Sequence, residues 1–332
     1  MVSNALVRTP HRPPVLLPKS LVSVKRDARG IAAHAVDCLL LELETYPKPG
    51  LVSHVDAGSH TDMDAGTLRR GATALGPYLC ALTEAGAQDC DMGRLRVIGI
   101  EAEAAMLEAT EGINTHRGAI FGLGLLCAAA GARWSGTVEI SAPLGSVVAR
   151  RWGEEILSGP VTLRSHGLEA HRRYGAGGAR REAAEGFPSV YDIGLPALKM
   201  AARMAPADVE AVRVQACFSL IAAVEDTNLL HRGGTAGLCF AQSAARSFLD
   251  RGGVSQRDWR VCARSVHEAF VQRRLSPGGS ADLLAMSLFV HAIEQTDADV
   301  ERPQKQSQSS SPARQSASSL WRSRPSCSLP SE

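Results

Sequence analysis

The run from Ala119 to Ala130 constrains the fold most, because none of its residues carries a polar side chain. A helix that is apolar on every side is buried inside a protein or a membrane. This run is shorter than the ~20 apolar residues that span a bilayer, and Gly131 and Arg133 soon follow it. The sequence therefore predicts a buried central helix surrounded by other helices, and no membrane contact.

The rest of the chain has apolar residues at helical spacing and no sustained alternation of apolar and polar residues. We predict an all-α fold, a single multi-helix globular domain over residues 27–298 whose long polar loops form one cleft. The flanking residues 1–26 and 299–332, rich in Pro, basic residues, Ser and Gln, are predicted to be disordered. The first helix should follow Asp27 and end before Pro47, and further helices are predicted at 65–85 with a kink at Pro77, 92–110, 119–130, 138–157, 208–224, 235–249, 255–275 and 280–294.

Charge and cysteine content narrow the class of protein. A formal net charge of +2 does not indicate a general nucleic-acid-binding surface. The chain has eight cysteines and no C-x-x-C pair, and most of the cysteines lie in apolar runs. We interpret them as buried reduced thiols, which are typical of cytosolic proteins, and predict a cytoplasmic location.

A first polar segment runs from Pro47 to Asp64 and is too rich in proline and glycine for a helix. Prolines on both sides stiffen Lys48, which suits a phosphate contact, although a surface lysine in a turn is the alternative. Asp62 and Asp64 are spaced to face one Mg²⁺ as oxygen ligands. The alternative is that one of them caps the next helix, and for Asp64 capping is at least as well supported.

The second polar segment, Gly112 to Gly118, immediately precedes the apolar central run. Arg117 would add positive charge to the positive end of a helix, which is unfavourable unless an anion lies there. This position is our strongest physical indication of a phosphate site. In the alternative interpretation, Asn114 or Thr115 only caps the helix.

The third polar segment, Glu225 to Gly234, follows a long apolar helix. We interpret Glu225 and Asp226 as lying at its C-terminal end, where carboxylates oppose the helix dipole unless a cation or an arginine compensates them. A solvated helix end is the alternative. The chain has no zinc-ligand spacing, no GxGxxG segment and no Walker A lysine. We therefore predict that the three polar segments meet in one cleft and bind phosphates through scattered basic residues and helix ends.

Five segments, in order over about residues 30–295, resemble the triphosphoribosyl-dephospho-CoA synthases, the CitG and MdcB proteins of citrate lyase and malonate decarboxylase operons. The resemblance implies a transferase that converts ATP and 3′-dephospho-CoA into 2′-(5″-triphosphoribosyl)-3′-dephospho-CoA and adenine. The product would pass to a holo-acyl-carrier-protein synthase of either pathway. The segments are LETYPKPGLVSHVDAGSHTDMD, EATEGINTHRGAIFGLGLLCAAAG, YGAGGARREAAEGFPSV, EDTNLLHRGG and LSPGGSADLLA.

This implied reaction breaks the N-glycosidic bond of ATP and keeps the triphosphate intact, which agrees with the missing P-loop. The reaction suggests a role for each candidate residue according to the charge of its side chain. Residues within one group could exchange roles. Candidates for triphosphate binding are Lys48, Arg117, Asn228 and Arg232. Candidates for catalysis, including proton transfer, are His60, His116, Glu225 and Asp226. Candidates for binding the Mg²⁺ that accompanies ATP are Asp62, Asp64 and Asp226.

Two other functions compete with this one. A Mg²⁺-dependent N-glycosyl hydrolase that acts on ADP-ribose-like compounds would share an all-α scaffold and clustered aspartates. A non-enzymatic helical adaptor would present its polar loops to solvent without a common cleft. Convergence of the three polar segments distinguishes an enzyme from an adaptor.

Overall fold

A computed structural model describes residues 27–160 and 177–306, with side chains described to residue 295. These residues form helices and no strands, which confirms the all-α prediction. A π-helical turn covers Ser189–Gly194 and a 3₁₀ turn covers Gly253–Ser255. The helices are α1 (Ala28–Leu43), α2 (Ala65–Ala74), α3 (Gly76–Ala87), α4 (Met92–Ala109), α5 (Arg117–Trp134), α6 (Leu144–Ser158), α7 (Gly178–Ala184), α8 (Leu195–Met204), α9 (Val209–Ala223), α10 (Thr227–Asp250), α11 (Trp259–Gln272) and α12 (Gly278–Gln306).

Helix α5 is the predicted central helix, and it is buried along almost its whole length. It contacts α1, α3, α4, α6, α7 and α12. Its approach to α3 is closest at glycines: a Cβ on Gly86 would lie 1.9 Å from the carbonyl oxygen of Ala128, and a Cβ on Gly131 would lie 1.9 Å from that of Thr83. The two helices therefore pack backbone to backbone.

Several predicted boundaries differ from the structure. The helix predicted at 65–85 is two helices, because α2 ends at Ala74 and α3 begins at Gly76. Pro77 lies in the first turn of α3, where a backbone N–H would have no acceptor within the helix, so proline is tolerated there. At the far end, α12 continues to Gln306, past the end of the helix predicted at 280–294. The predicted disordered lead at 1–26 and the tail beyond residue 306 lie outside the described residues.

The third polar segment corrects the sequence interpretation. Helix α9 ends at Ala223, and Asp226 is the N-cap of α10 rather than part of a helix C-terminus. A carboxylate at a helix N-terminus is favourable, so no cation is needed to explain Asp226. Helix α10 then absorbs the rest of the segment and is interrupted at Gly234, whose φ of 60° and ψ of −161° are not helical.

Two smaller findings bear on the sequence expectations. Asp27 caps α1, as predicted, by accepting a hydrogen bond from the Gly30 N–H. Cys38, Cys127 and Cys217 are buried as expected, whereas Cys239 is exposed. Within the described residues, no helix combines the length and the apolar character that crossing a membrane requires.

Candidate active site

The first polar segment is fixed against the turn between α11 and α12. The Ser59 hydroxyl donates to the Leu275 carbonyl at 2.7 Å, and the His267 Nδ1 lies 2.6 Å from the Lys48 carbonyl. Gly50 has a φ of +67°, and a Cβ there would lie 2.0 Å from the Leu275 oxygen. This close approach holds the loop in one place beside the start of α12.

Lys48 is fully enclosed, with 0% of its side chain exposed, and its ammonium donates to the carboxylate of Glu42 on α1. Sequence reasoning missed Glu42, although it is an acidic residue on a helix of apolar residues just before the loop. Glu42 is itself buried. In this structure Lys48 compensates an internal carboxylate, and its contact with a triphosphate stays a prediction.

Asp226 joins the starts of α10 and α12. Its Oδ1 accepts from the backbone N–H groups of Asn228 at 2.9 Å and Leu229 at 3.3 Å. Its Oδ2 accepts from the backbone N–H of Ser280 at 2.8 Å and from the Ser280 hydroxyl at 3.0 Å. Burial raises the pKa of Asp226, while these hydrogen bonds oppose the rise. Both carboxylate oxygens are thus occupied by protein donors.

Asp282, on the first turns of α12, is a site residue that sequence reasoning missed. A Cβ on Gly118 of α5 would lie 2.1 Å from its Oδ2. Desolvation by the surrounding protein, with Glu42 and Asp226 nearby, raises the pKa of Asp282 well above its ordinary value. An acidic residue shortly after SPGG was its only signal in the sequence.

His116 lies just before α5 and is also buried. Its Nδ1 is 2.8 Å from the Thr115 hydroxyl. Burial, together with the charge of Lys48, lowers the pKa of His116 to about 4, so its ring is neutral at pH 7. We call the five residues that these contacts and charges connect the charged cluster: Glu42, Lys48, His116, Asp226 and Asp282.

A second group lies beside the loop. The Nε2 of His60 is 3.0 Å from the Ser276 hydroxyl, and the Arg232 Nη2 lies 3.3 Å from both ring nitrogens of His60. Asp62 is 3.4 Å from the His60 Nδ1. Burial, with Arg232 next in effect, lowers the pKa of His60, although Asp62 opposes this shift. The first and third polar segments therefore meet, as predicted.

The remaining candidates have other surroundings. The Arg117 guanidinium donates to Glu103 of α4, which supplies the negative charge that we had expected from an anion. Its backbone N–H donates to Asn114 Oδ1 at 3.1 Å, while the N-cap position of α5 is His116, whose side chain makes no capping hydrogen bond. Glu225 is exposed, and Asn228 lies against Gly278, where an added Cβ would come within 2.6 Å of its Nδ2.

Asp64 is the N-cap of α2, accepting from the Thr67 N–H at 2.8 Å and from its hydroxyl at 3.0 Å. These hydrogen bonds lower the pKa of Asp64. Across residues 27–160 and 177–295, no three or more His, Cys, Asp or Glu residues are grouped to hold a metal ion. The predicted trio of Asp62, Asp64 and Asp226 is therefore not preassembled, and Mg²⁺ binding stays a prediction.

Comparison with known proteins shows the family to which the chain belongs. The model of the CitG family, described as ATP:dephospho-CoA triphosphoribosyl transferase, matches residues 28–300. The chain belongs to the CitG family. No solved structure matches it.

Its family relatives include proteins named probable 2-(5″-triphosphoribosyl)-3′-dephosphocoenzyme-A synthase. The one from Stutzerimonas stutzeri is 38% identical over 274 residues, which cover 80% of this chain and 92% of that protein. The one from Acinetobacter calcoaceticus is 36% identical over 276 residues, or 82% and 94% of the two chains. The one from Pseudomonas fluorescens Pf0-1 is 38% identical over 288 residues, or 84% and 95%.

Proposed function

We propose that this chain transfers the triphosphoribosyl group of ATP to 3′-dephospho-CoA, forming 2′-(5″-triphosphoribosyl)-3′-dephospho-CoA and adenine. The family match over residues 28–300, which contain the charged cluster, carries this proposal. The relatives support it, since this chain aligns with almost the whole length of each.

The charged cluster suits the bond that breaks. Loss of adenine leaves positive, oxocarbenium character on the ribose, which nearby carboxylates stabilise. Glu42, at the end of α1, and Asp226, at the start of α10, supply that negative potential from two different helix regions. The fixed charges need no rearrangement during the reaction, which is the condition for strong electrostatic stabilisation.

Arg232 and His60 are our choice for contact with the reacting groups. The Arg232 guanidinium donates to the carbonyls of Ser59 at 3.3 Å and Arg274 at 3.2 Å. Among the described residues no carboxylate forms an ion pair with it, although the charge of Asp62 acts on it. It is therefore suited to the triphosphate. A neutral His60 is suited to accept the proton of the attacking 2′-hydroxyl group.

Mg²⁺ would arrive with the triphosphate, to which it supplies charge neutralisation. Mg²⁺ in nucleotide sites is held by one or two carboxylates plus phosphate oxygens and waters. Asp64 and Asp226 serve as helix caps, whereas the Asp62 side chain is 61% exposed. Asp62 is therefore the predicted ligand that best fits a Mg–ATP complex.

The product would serve a holo-acyl-carrier-protein synthase of the malonate decarboxylase or citrate lyase pathway, in the cytoplasm. The name given to the relatives supports the product, and the pathway follows from the resemblance in the sequence. Incubation of the chain with purified acyl carrier proteins of both systems and their synthases would identify the recipient.

The activity test measures free adenine and product mass after incubation with Mg–ATP and 3′-dephospho-CoA. We expect adenine and the product in equal amounts, and no release when either the acceptor or Mg²⁺ is omitted. Adenine release without the acceptor would favour the N-glycosyl hydrolase, and formation of ADP or AMP would contradict the proposal. Arg232→Ala should raise the KM for ATP, while Glu108→Gln, at an exposed site on α4, serves as the control.

A further inference from the structure

The charged cluster contains more carboxylates than cations. The charges of Glu42 and Asp226 both act on Asp282, and within the described residues Lys48 is the cation that pairs with a member of the cluster, through Glu42. His116 adds no positive charge at neutral pH, because its pKa is lowered to about 4. Carboxyl groups that lie close together in a desolvated site cannot all keep their ordinary pKa, because each negative charge disfavours the ionisation of its neighbours. At least one of them should therefore hold a proton in the free protein.

The hydrogen bonds indicate which carboxyl group this is. Asp226 accepts from protein donors with both oxygens, which favours its ionised form. Glu42 is paired with the Lys48 ammonium, which also favours ionisation. Asp282 has no hydrogen-bond or ion-pair partner within the part of the chain that the structure describes. It is also only partly buried, whereas Glu42 and Asp226 are 7% and 1% exposed. Asp282 is thus the most exposed of the three carboxyl groups.

The position of Asp282 depends on Gly118. The carboxyl group lies so close to the first turn of α5 that its Oδ2 would be 2.1 Å from a Cβ at position 118. Any larger residue at position 118 would displace the group from the cluster. Gly118 follows Arg117 and His116, so Asp282 lies beside the second polar segment as well as the third.

We propose that Asp282 is the catalytic residue that protonates the adenine of ATP as its bond to the ribose breaks, an inference that rests on the proposed function. The 2′-hydroxyl oxygen of 3′-dephospho-CoA forms the new bond to C1′ and gives its proton to a base. The electron pair of the broken C1′–N9 bond passes to adenine, which takes the proton of Asp282. The Asp282 carboxylate afterwards regains a proton from water.

The charges around Asp282 support this role. Glu42 of α1 and Asp226 at the start of α10 join desolvation in raising its pKa. Lys48, the cation of the cluster, is bound to Glu42. A carboxyl group whose pKa is raised in this way is suited to general acid catalysis.

The first test compares Asp282→Asn with the wild type on two nucleotides. With ATP, the kcat for adenine release should fall by roughly 10²–10⁴-fold, the usual contribution of a general acid, while the KM for ATP stays unchanged. With N7-methylated ATP, whose base already carries a positive charge and leaves without a proton, most of this loss should disappear. An equal loss with both nucleotides, or no loss with ATP, would overturn the inference.

The second test moves the carboxyl group without changing it. Gly118→Ala should reproduce the selective loss with ATP, since the new Cβ displaces Asp282. Gly99→Ala is the matched control, because a Cβ there meets nothing within 4 Å. Full activity of Gly118→Ala with ATP would count against the inference. Adenine release by the wild type distinguishes failure of the proposed function from failure of the inference about Asp282. If the wild type releases no adenine, the proposed function is refuted. If the wild type and Asp282→Asn are equally active, only the role of Asp282 is refuted.

Discussion

At the scale of single residues, Lys48 determines whether the charged cluster is stable. Its ammonium is fully enclosed and paired with Glu42, beside two further carboxylates. Lys48→Met would leave this negative charge uncompensated, and removing one partner of a buried pair costs about 3–5 kcal/mol. We expect a fall of this size in the free energy of unfolding, measured with urea.

Two matched variants separate charge from packing at Lys48. Adding Glu42→Gln to Lys48→Met should recover part of the lost stability, because the double variant no longer has an unpaired buried carboxylate at position 42. Lys199→Met, at an exposed site on α8, should have little effect. If Lys48→Met were as stable as Lys199→Met, the internal pairing with Glu42 would be wrong.

His34 on α1 makes stability depend on pH. It is 4% exposed, its Nε2 has no hydrogen-bond partner among the residues that the structure describes, and burial lowers its pKa from 6.5 to about 4. Between these values the unfolded chain binds the proton that the folded protein excludes, so stability falls as pH falls from about 6.5 towards 4. At ~1.4 kcal/mol per pH unit, the contribution of His34 approaches about 3 kcal/mol.

Urea unfolding at pH 7 and pH 4.5 tests this contribution. His34→Leu should lose less stability on acidification than the wild type does, because it has no imidazole to protonate. His54→Leu, at an exposed position, should retain the wild-type pH dependence. Identical slopes for His34→Leu and the wild type would contradict a neutral, buried His34.

At the scale of helices, the contact between α3 and α5 requires glycine. Gly131→Ala would bring a Cβ to 1.9 Å from the Thr83 carbonyl oxygen, so the two helices would have to separate. Such overpacking costs typically 1–3 kcal/mol. Gly99→Ala, in open space within α4, should instead stabilise the protein by roughly 0.5–1 kcal/mol, because alanine loses less backbone entropy than glycine. Thermal and urea unfolding measure the stability of both variants. Equal changes in stability for Gly131→Ala and Gly99→Ala would contradict the close packing of α3 and α5.

The sequence predicts elements better than it predicts the partners of their polar residues. Helix α5 was predicted because a run without polar residues has few alternatives to burial. Asp226 was assigned to the wrong helix, since its carboxylate is equally compatible with the end of one helix and the cap of the next. Glu42 and Asp282 were missed because an acidic residue on a helix ordinarily faces water, and only the packing of α1, α5 and α12 brings the two together.

At the scale of the whole molecule, the charged cluster unites distant parts of the chain. Glu42 belongs to α1, near the start of the described residues, and Asp282 belongs to α12, near their end. The site therefore exists only when the complete helical domain is folded. Both ends of that domain should be needed for activity, and the segments beyond it should not.

Two truncated chains test this expectation. A chain of residues 27–306 contains the whole family match at 28–300 and all the helices described, so it should keep the stability and the adenine release of the full chain. A chain of residues 27–277 lacks α12, which supplies Asp282 and the Ser280 that binds Asp226. It should lose both cooperative unfolding and activity, because the apolar faces of α1, α5 and α9 that pack on α12 would be exposed to water. Cooperative unfolding of this shorter chain would show that α12 is an attachment to the core rather than part of it.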